Sequence, residues 1–528
     1  MDEQTAVLIV GGSLVGLTAS ALLGRHGVPH ILIERHRGTA IHPRAAAFHQ
    51  RTLEVFRSAG LQDAVNTAAE REFVQNGAIM AVETLAGREL AWFYRSVNDG
   101  VEDLSPARRL FITQIGLEPV LRERALQLGA DLRYGAEMTG FVQDDDGVVA
   151  TLRSRDSGEE RRIRARYMIA ADGAHSPVRR ALGVPMGGRG DFAQCFTIYF
   201  KADVRALLRE RNLSVVYVNQ PGLLAFFRFS ITADAGFLAV FFTADAGDRE
   251  AEPDLSEARC AALVRAALGV AGDFPVAIEN VQPWTAAAST AASFRKGAVF
   301  LAGDAAHVMP PTGGFGGNTG VADAHNLAWK LAMVLRGEAG PALLDSYDAE
   351  RRPIAALTVE QAYRRYVERV DATLPSADLE PNLADTAIEL GAIYRSQAVV
   401  AQGADEAVVE APEQPSGRPG TRLPHLWIDQ GEARLSSLDL AGDGFVLLAA
   451  RDGQAWMAAA ERQGGLKAHQ VRVDGFAAAV GMTAEGAILL RPDGVIGWRS
   501  TGAVADPDAA LAQALQRLSA RDLSAPRS

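Results

Sequence analysis

The sequence predicts an α/β fold in which a parallel sheet with crossover helices is interrupted by a second sheet and followed by a smaller α/β segment. Three short apolar runs, beginning near residues 7, 167 and 299, each end abruptly at glycine or an acidic residue. Runs of this length bounded by turn residues are typical of buried parallel strands. Residues 190 to 285 lie between the second and third runs and carry a different pattern of closely spaced strands.

The first run begins a strand, turn and helix unit. Val7 to Val10 is apolar and β-rich, the glycine-rich turn Gly11 to Gly16 follows, and a helical stretch continues to His26. A second apolar strand then ends on Glu34. This is the βαβ dinucleotide fingerprint, which binds a pyrophosphate at the helix N-terminus and a ribose hydroxyl through the acidic residue. Ser13 replaces the middle glycine, so backbone and pyrophosphate approach each other less closely there.

A second unit ends in a different acidic turn. The predicted strand Tyr167 to Ala171 runs into Asp172 and Gly173, and the chain continues as AHSPVRR. The resulting pattern is D-G-x-x-S-x-V-R. A turn aspartate without a ligand is the alternative interpretation of Asp172.

A third unit combines a strand end with a proline- and glycine-rich turn. Val299 to Ala302 predicts a buried strand that ends at Gly303 and Asp304. Asn318 is predicted to cap the helix that follows. Taken alone, this segment is also compatible with an ordinary glycine-rich loop. The turn residues whose fixed path and small size let backbone amides approach a ligand are Pro310, Pro311, Gly313, Gly314, Gly316 and Gly317.

These three motifs, in this order, resemble those of the flavoprotein aromatic hydroxylases with the para-hydroxybenzoate hydroxylase fold. The similarity covers nearly the whole chain. Residues 391 to 399, GAIYRSQAV, are most similar to the subgroup that hydroxylates anthracycline- and angucycline-type aromatic polyketides, such as aklavinone hydroxylases. Further matching segments are Pro43-Arg44-Ala45, Gln114 within FITQIGLEPVL, Leu344 to Pro353, and Leu490 to Gly494.

The resemblance implies a Rossmann-like FAD-binding domain interleaved with a β-sheet substrate domain, plus a C-terminal thioredoxin-like domain. The segment 411–420, APEQPSGRPG, is interpreted as a linker. The predicted divisions are 1–185 for the first part of the FAD-binding domain, 186–285 for the substrate sheet, 286–410 for the second FAD-binding part with its helices, and 421–528 for the C-terminal domain.

The C-terminal domain is predicted to be structural. It has no cysteine, so thiol redox chemistry, which requires a thiolate, is excluded there. Its strand and helix pattern indicates an independent core, and it lies far in sequence from every flavin motif. A role in stability or dimerisation is the leading hypothesis. A chain ending near Pro415 is then expected to lose solubility or change its oligomeric state, while any folded fraction keeps FAD.

Composition agrees with a cytoplasmic enzyme. The 528 residues, 48% of them hydrophobic, are enough for several domains with large cores. No apolar run approaches the roughly 18 residues that span a membrane. Net charge is −11, from 53 basic and 64 acidic residues, and the basic residues are dispersed, so no nucleic-acid surface is expected. Cys195 and Cys260 form no metal-spaced cluster, and no metal is predicted.

The reactive group is expected to be a cofactor, because the motifs contain no serine elbow and no HExxH sequence. The resemblance implies a monooxygenase in which FAD is reduced by NADPH or NADH and forms a C4a-hydroperoxide with dioxygen. One oxygen atom is then transferred to a polycyclic aromatic substrate. It also implies that the oxidised flavin swings outward to meet a transiently bound nicotinamide. The apolar sheet and the Pro310-Pro311 turn are suited to keeping water away.

The resemblance also implies roles for single residues in FAD binding. Glu34 is expected at the adenosine ribose, Asp304 at the ribityl chain, and Met138 at the adenine through its backbone. Helix capping is the alternative role for Asp304. The expected cofactor-binding residues are Gly11, Ser13, Leu14, Val15, Gly16, Glu34, Arg35, Arg44, Gln114, Met138, Asp172, Gly303, Asp304, Pro311, Gly314, Gly316, Gly317 and Asn318.

Arg44, Pro310, Pro311 and Arg395 are the expected catalytic residues. The alternative interpretation of Arg44 is that it is only a surface charge in a polar loop. His307 is predicted to be a packed loop histidine rather than an acid or a base. The base that would deprotonate a phenol is left open among four residues, which are Tyr199, Tyr217, Tyr394 and Arg395.

Three functions stay open at this stage. Hydroxylation of a polycyclic aromatic is the leading hypothesis, and a homodimer is considered. Baeyer-Villiger oxidation, epoxidation or antibiotic inactivation on the same fold is the second, because motifs for FAD do not report which bond receives the oxygen. A non-catalytic protein that binds a partner through its C-terminal domain is the third.

Overall fold

The computed structural model describes residues 3–41, 45–241, 254–403, 406–430 and 433–521. Within these ranges the chain forms two eight-stranded sheets, one four-stranded sheet and two short two-stranded ladders, with helices packed on them. The α/β class predicted from the sequence is confirmed. No helix among the described residues is long and apolar enough to cross a membrane.

The strands fall into three groups along the chain. The first group is β1 (Glu3–Val10), β2 (His30–Glu34), β3 (Ala47–Phe48), β4 (Ala78–Val82), β5 (Glu89–Tyr94), β6 (Leu110–Phe111), β7 (Asp131–Tyr134), β8 (Ala136–Asp144), β9 (Gly147–Ser154) and β10 (Glu160–Ala170). The second is β11 (Met186–Lys201), β12 (Leu213–Gln220), β13 (Leu223–Phe229), β14 (Ala235–Phe241), β15 (Ala277–Ala291), β16 (Arg295–Lys296), β17 (Val299–Leu301) and β18 (His307–Val308). The third is β19 (Trp427–Gln430), β20 (Ala433–Ser436), β21 (Val446–Ala449), β22 (Lys467–Gln470), β23 (Ala487–Leu490) and β24 (Ile496–Ser500).

The helices are spread over the whole chain. They are α1 (Leu14–Arg25), α2 (Gln50–Ser58), α3 (Gln62–Glu72), α4 (Gln114–Gln127), α5 (Pro177–Ala181), α6 (Arg205–Leu208), α7 (Glu257–Leu268), α8 (Phe315–Leu335), α9 (Ser346–Arg369), α10 (Asp385–Leu390), α11 (Gln454–Arg462), α12 (Phe476–Ala479) and α13 (Pro507–Leu518).

The first large sheet is built around β1. Its order is β16-β17-β10-β1-β2-β7, and the hairpin of β8 and β9 extends it from β10. Strands β17, β10, β1, β2 and β7 are parallel, so their carboxyl ends share one edge. Val7, Leu8 and Ile9 are completely buried; α1 packs on β1 and β2, and α4 and α8 pack on α1. All three sequence motifs therefore meet at one edge, as a doubly wound sheet requires.

The second large sheet has two different faces. Its order is β18-β15-β11-β14-β13-β12-β4-β5. Side chains alternate along β11. Phe196, Ile198 and Phe200 lie in a buried cluster with residues of α7. Cys195 lies on the opposite face with the α9 residues Tyr363 and Tyr366. That opposite face is the one on which α9 packs.

This second sheet extends beyond the segment 186–285. Strands β4 and β5 come from residues 78–94, which the sequence prediction placed in the first FAD-binding part, and β12 pairs with β4 in parallel. An alternating pattern predicts a strand but does not report which sheet it joins, so the long-range pairing was not visible in the sequence.

The C-terminal segment contains a four-stranded sheet of order β22-β21-β23-β24. Strand β22 is parallel to β21, whereas β23 and β24 are antiparallel neighbours. The thioredoxin-like assignment and the predicted domain boundaries stay predictions.

The segment 411–420, predicted as a linker, is packed rather than free. Gly417 has φ +58°, and a Cβ there would lie 2.1 Å from the Cα of Val480. Gly420 donates to the carbonyl of Ile496, and its own carbonyl accepts from the amide of Tyr394. The segment is therefore fixed from both sides. A proline- and glycine-rich composition indicated flexibility, but close backbone packing uses the same residues.

Candidate active site

The fingerprint turn has the geometry that a dinucleotide requires. Gly11 has φ +109°, and a Cβ there would lie 2.2 Å from the carbonyl oxygen of Ala171. A Cβ on Gly16 would lie 1.9 Å from the carbonyl oxygen of Gly11. Ser13 has extended backbone and immediately precedes α1. The two glycines thus pack the turn tightly against the sheet, and the first-turn amides of α1 face the sheet edge.

Glu34 lies against this turn at the end of β2. Its Oε2 accepts from the amide of Gly12 at 2.7 Å, and its Oε1 accepts from the amide of His36 at 2.8 Å. The carboxylate is therefore held beside the fingerprint. Arg35 follows it on the surface and is exposed.

Gln114 begins α4 and reaches the same turn. Its Nε2 lies 3.3 Å from the Ser13 Oγ, and its Oε1 accepts from the amide of Ala45 at 3.3 Å. Thr113 caps this helix through its side chain. Glu118, one turn further along α4, accepts a 2.5 Å hydrogen bond from the Ser13 hydroxyl. Sequence reasoning did not single out Glu118, although its i,i+4 spacing from Gln114 places both on one face of the helix.

The acidic turn after β10 lies beside the fingerprint turn. Asp172 Oδ2 accepts from the amide of Val178 at 3.1 Å, whereas its Oδ1 is buried without a hydrogen-bond partner among the described residues. Burial raises the pKa of Asp172. Arg179 donates to the carbonyl oxygen of Ala305 at 2.8 Å, which links this turn to the one after β17. An orphaned buried carboxylate oxygen at this edge fits a ligand that supplies hydroxyl donors.

The turn after β17 packs directly on α1. Gly303 has φ +61°, and a Cβ there would lie 2.8 Å from the Cγ2 of Val15. A Cβ on Gly317 would lie 3.0 Å from the Cδ2 of Leu14. Asp304 sits in the short 3₁₀ turn Gly303–Ala305 and is exposed at the sheet edge. The structure therefore brings the first and third motifs into contact.

The helix after the proline-rich turn begins earlier than predicted. Gly314, with φ +68°, is the N-cap of α8, so Gly316, Gly317 and Asn318 are helical. The prediction that Asn318 caps the helix is wrong, because two left-handed glycines at 313 and 314 already turn the chain. The Gly314 amide donates to the carbonyl oxygen of Pro311 at 2.9 Å, which closes the turn.

The Asn318 side chain instead joins α8 to the segment before α2. Its Oδ1 accepts from the amide of His49 at 2.9 Å and from the Thr52 hydroxyl at 2.7 Å. Its Nδ2 donates to the carbonyl oxygens of Ala47 and Gly314. All of its polar atoms are engaged within the protein, so only its backbone is free to contact a ligand.

A buried ionic network supports the turn from behind. Asp323 of α8 accepts from the Gly303 amide at 3.0 Å, and its Oδ2 lies 2.7 Å from His307 Nε2. Arg351 of α9 donates to Asp323 Oδ1 at 2.8 Å and to the Tyr394 hydroxyl at 2.9 Å. Burial acts to raise the pKa of Asp323, but its two basic neighbours outweigh it and hold the pKa below the usual value. His307 is packed, as predicted, whereas Asp323 was missed.

The remaining predicted residues are not all brought together. Pro310 is buried and Pro311 is exposed in the turn before α8. Met138 lies in β8 and packs on the core of the first sheet. Arg44 lies outside the described residues. Arg395 is exposed, and its neighbour Tyr394 packs with Val495 of the C-terminal segment rather than with the face of the second sheet.

The inner face of the second sheet carries partly exposed aromatic rings. Tyr217 packs edge to face on Phe93 at a centroid distance of 5.8 Å and lies tilted against Phe226 at 6.0 Å. The Arg369 guanidinium lies over the Phe93 ring at 5.2 Å. Beyond them, Phe241 and Tyr366 pack edge to face at 5.4 Å and close one end of this face. Flat apolar walls with one nearby cation suit an aromatic ring bearing an anionic oxygen.

Fold and site together define a dinucleotide-binding oxidoreductase with a second sheet beside its cofactor edge. Residues 4–362 match the family described as FAD binding domain, and residues 416–521 match the family described as aromatic-ring hydroxylase, C-terminal. The chain belongs to this family of FAD-dependent aromatic-ring hydroxylases. It is an FAD-dependent monooxygenase that uses NAD(P)H.

Relatives and solved structures resemble the chain over its whole length. The 4-methyl-5-nitrocatechol 5-monooxygenase of Burkholderia sp is 46% identical, and the match covers 98% of each chain. The tetracenomycin A2 monooxygenase-dioxygenase of Streptomyces glaucescens is 38% identical over 99% of this chain and 98% of the relative. The structure of aklavinone-11 hydroxylase with FAD and aklavinone matches with a TM-score of 0.93 and 35% identity, covering 99% and 100% of the two chains.

Proposed function

We propose that this enzyme inserts one oxygen atom from dioxygen into an aromatic ring that carries a hydroxyl group. The observation that carries the proposal is the inner face of the second sheet, where Tyr217, Phe226 and Phe93 present ring surfaces beside Arg369. A ring stacked among them would have its ionised oxygen close to a cation, which favours the electron-rich phenolate.

FAD, when bound and reduced by NAD(P)H, supplies the activation of dioxygen that side chains cannot provide. The protein then positions and shields the reacting groups. We propose that Glu34 holds the ribose, Asp304 the ribityl chain, and the backbone of Gly317 and Asn318 the ring system. Asp172 would accept a hydroxyl donor through its orphaned Oδ1. Pro310, buried in the turn, keeps water from the reacting atoms.

The substrate is proposed from two kinds of relative. The sequence indicates a polycyclic polyketide-like substrate, as do the names of the tetracenomycin and aklavinone enzymes. The name of the nitrocatechol enzyme indicates a single ring that carries hydroxyl groups. A ring hydroxyl is common to both classes. The homodimer and the cytoplasmic location stay predictions of the sequence.

Product analysis tests this proposal. The flavin-loaded enzyme is incubated with NADPH in air, with either substituted catechols or polycyclic phenols, and products are examined by mass spectrometry and NMR. We expect one added oxygen atom from dioxygen, shown by ¹⁸O₂ labelling, on a ring that stays intact. A ring-expanded lactone would instead indicate Baeyer-Villiger oxidation, and an epoxide would indicate epoxidation. NADPH consumption with hydrogen peroxide as the sole product for both panels would contradict the proposal.

The KM of Phe93→Ala tests whether the substrate binds on the proposed face. Loss of the Phe93 ring should raise KM by an amount comparable to a lost aromatic contact, roughly tenfold. Trp498→Phe, in the C-terminal sheet, is the matched control and should leave KM unchanged. An unchanged KM for Phe93→Ala would remove this face from the substrate site.

A further inference from the structure

Glu118 places a carboxylate at the N-terminus of α1, where the dinucleotide fingerprint binds an anion. Glu118 lies in α4, and its side chain is completely buried. Its Oε1 accepts from the Ser13 hydroxyl at 2.5 Å and from the Leu14 amide at 3.1 Å. Its Oε2 accepts from the amide of Ala40 at 2.6 Å. A buried acid with donors on both oxygens is held in one position.

These hydrogen bonds join three separate segments at the proposed cofactor edge. Ser13 and Leu14 belong to the fingerprint turn. Ala40 belongs to the segment that follows β2 and Glu34. Gln114, expected to contact FAD, donates from Nε2 to both Ser13 Oγ and Glu118 Oε1 at 3.3 Å. Glu34 joins the fingerprint turn to the start of the same segment, at Gly12 and His36, whereas Glu118 joins the turn to the segment further along, at Ala40.

Ser13 explains why such a residue is needed here. It stands where the fingerprint has its middle glycine, and its side chain must be placed without obstructing the ligand. The hydroxyl is directed toward α4, where it donates to Glu118. The intrahelical bonds of α1 begin with the Leu17 amide, which donates to the Ser13 carbonyl at 2.9 Å. The amides of Val15 and Gly16 lie in the first turn and have no intrahelical acceptor.

We propose that Glu118 is the positioning residue of the FAD pyrophosphate site. It draws the Ser13 hydroxyl away from the ligand and fixes the fingerprint turn, Gln114 and the Ala40 segment as one surface. Its hydrogen bonds occupy the Ser13 hydroxyl, the Leu14 and Ala40 amides and the Gln114 side chain, so the remaining first-turn amides of α1 stay available for the pyrophosphate. This inference rests on the FAD contacts proposed above, and its test separates the two.

Glu118→Gln is the central variant. Glutamine keeps one acceptor oxygen but replaces the other by an NH₂ donor, which opposes either the Ala40 amide or the Ser13 and Leu14 donors. Apoprotein is prepared by removing the flavin and is titrated with FAD while flavin fluorescence is followed. We expect the Kd for FAD to rise roughly 10- to 100-fold. Glu123→Gln, on the exposed side of the same helix, is the matched control and should leave it unchanged. A tighter Kd for Glu118→Gln, as relief of repulsion would give, overturns the proposal.

Ser13 supplies the second arm. Ser13→Ala should weaken FAD binding, and its effect should largely disappear in the Glu118→Gln background, since both remove the same interaction. Ser13→Gly, which restores the consensus glycine, should bind FAD no more tightly than Ser13→Ala. Additive effects, or a Ser13→Gly variant that binds FAD more tightly than the natural protein, would contradict a linked role. Should Glu118→Gln fail to fold, Glu118→Asp replaces it in this cycle, because the shorter side chain keeps the charge but not the reach.

The melting temperatures of the apoproteins separate positioning from general stability. For a positioning residue, FAD affinity falls while the apoprotein variants melt at similar temperatures. A loss of affinity that only follows a loss of apoprotein stability overturns the proposal. Glu34→Ala and Asp304→Ala test the underlying FAD site. If they weaken FAD binding and Glu118→Gln does not, the Glu118 inference alone fails. If none of the three has an effect, the proposed FAD site fails with it.

Discussion

Arg491 and Glu350 form a buried ion pair with two hydrogen bonds, and it joins the C-terminal segment to α9. Nη1 donates to Oε1 at 2.6 Å, and Nη2 donates to Oε2 at 2.9 Å. Lys330 of α8 donates to the same carboxylate at 2.8 Å, and Asp493 accepts from Arg491. Two cations and two carboxylates thus neutralise each other without solvent. The helix that starts at the cofactor turn is tied to the C-terminal segment through this cluster.

Arg491→Met should destabilise the protein strongly. The substitution leaves Glu350 and Asp493 with only Lys330 as a cation, and breaking a buried pair from one side costs about 3–5 kcal/mol. Urea unfolding followed by circular dichroism measures the change. Arg462→Met is the control, because its pair with Asp508 is exposed and worth about 0–1 kcal/mol. Equal effects of the two substitutions would show that the buried cluster contributes no special stability.

The stability difference between the natural protein and Glu350→Gln should depend on pH. Burial acts to raise the pKa of Glu350, but Arg491 and Lys330 outweigh it and hold the pKa well below its usual value. A depressed pKa contributes stability that is present above the unfolded pKa, near 4.3, and is lost as the pH falls. The difference should therefore be largest near neutral pH and shrink below about pH 4. Urea unfolding at several pH values measures it, and a difference that grows toward acid pH would contradict this assignment.

The parts of the site that the sequence predicted share one property. Gly11, Asp172 and Gly303 each lie within two residues of the end of a strand whose last residues are apolar, so a few consecutive positions predict the strand end and its turn. Parallel pairing then places these strand ends on one edge. The local sequence pattern was sufficient to predict these turns, because the geometry of each turn depends on its own residues.

The parts that the sequence missed depend on distant partners. Glu118 and Asp323 look like ordinary helical residues until folding brings Ser13 and Gly303 to them. Likewise, residues 78–94 show strand alternation, but only the tertiary structure pairs them with β12. Asn318 was predicted as a cap on propensity, and a left-handed glycine at 314 took that position. Residue propensities and local spacing do not predict contacts between residues that are far apart in the sequence.

Glu34→Ala and Asp304→Ala should each weaken FAD binding. The two residues lie at different strand ends of the cofactor edge, β2 and β17. A lost hydrogen bond to a charged group corresponds to about 1.5–3 kcal/mol, or roughly 10- to 100-fold in Kd. Fluorescence titration of the apoproteins measures this change. Asp156→Ala, a surface change, is the comparison and should bind FAD normally. Normal affinity in both site variants would refute the proposed cofactor contacts.

A bound aromatic substrate should accelerate reduction of the flavin by NADPH. The family resemblance implies a flavin that moves between an outer and an inner position, and a ligand that favours one position shifts this equilibrium. Arg44→Ala should reduce the acceleration as well as FAD binding. Anaerobic stopped-flow absorbance measures the rate with and without a substrate confirmed by product analysis. Equal rates in the natural protein would argue against such gating.

A chain ending near Pro415 should fail to form a flavin-loaded enzyme, contrary to the expectation of an independent C-terminal core. Leu447, Ala449 and Trp456 belong to the same buried cluster as the first sheet, and Phe445 packs edge to face on Trp329 of α8 at 6.1 Å. Truncation would expose this surface and remove Arg491 from Glu350.

It would also remove Arg422, whose Nε donates to the buried Glu54 of α2 at 2.9 Å. Truncation would expose the apolar surface that Phe445, Leu447 and Trp456 cover and remove two ion pairs, and such losses are large beside the roughly 5–15 kcal/mol stability of a typical domain. Expression, flavin absorbance and thermal unfolding of the shortened chain measure the outcome. A chain ending at Arg521 is the control and should retain FAD. A soluble 1–415 fragment with bound FAD and a cooperative unfolding transition would show that the C-terminal segment only covers a site that is complete without it.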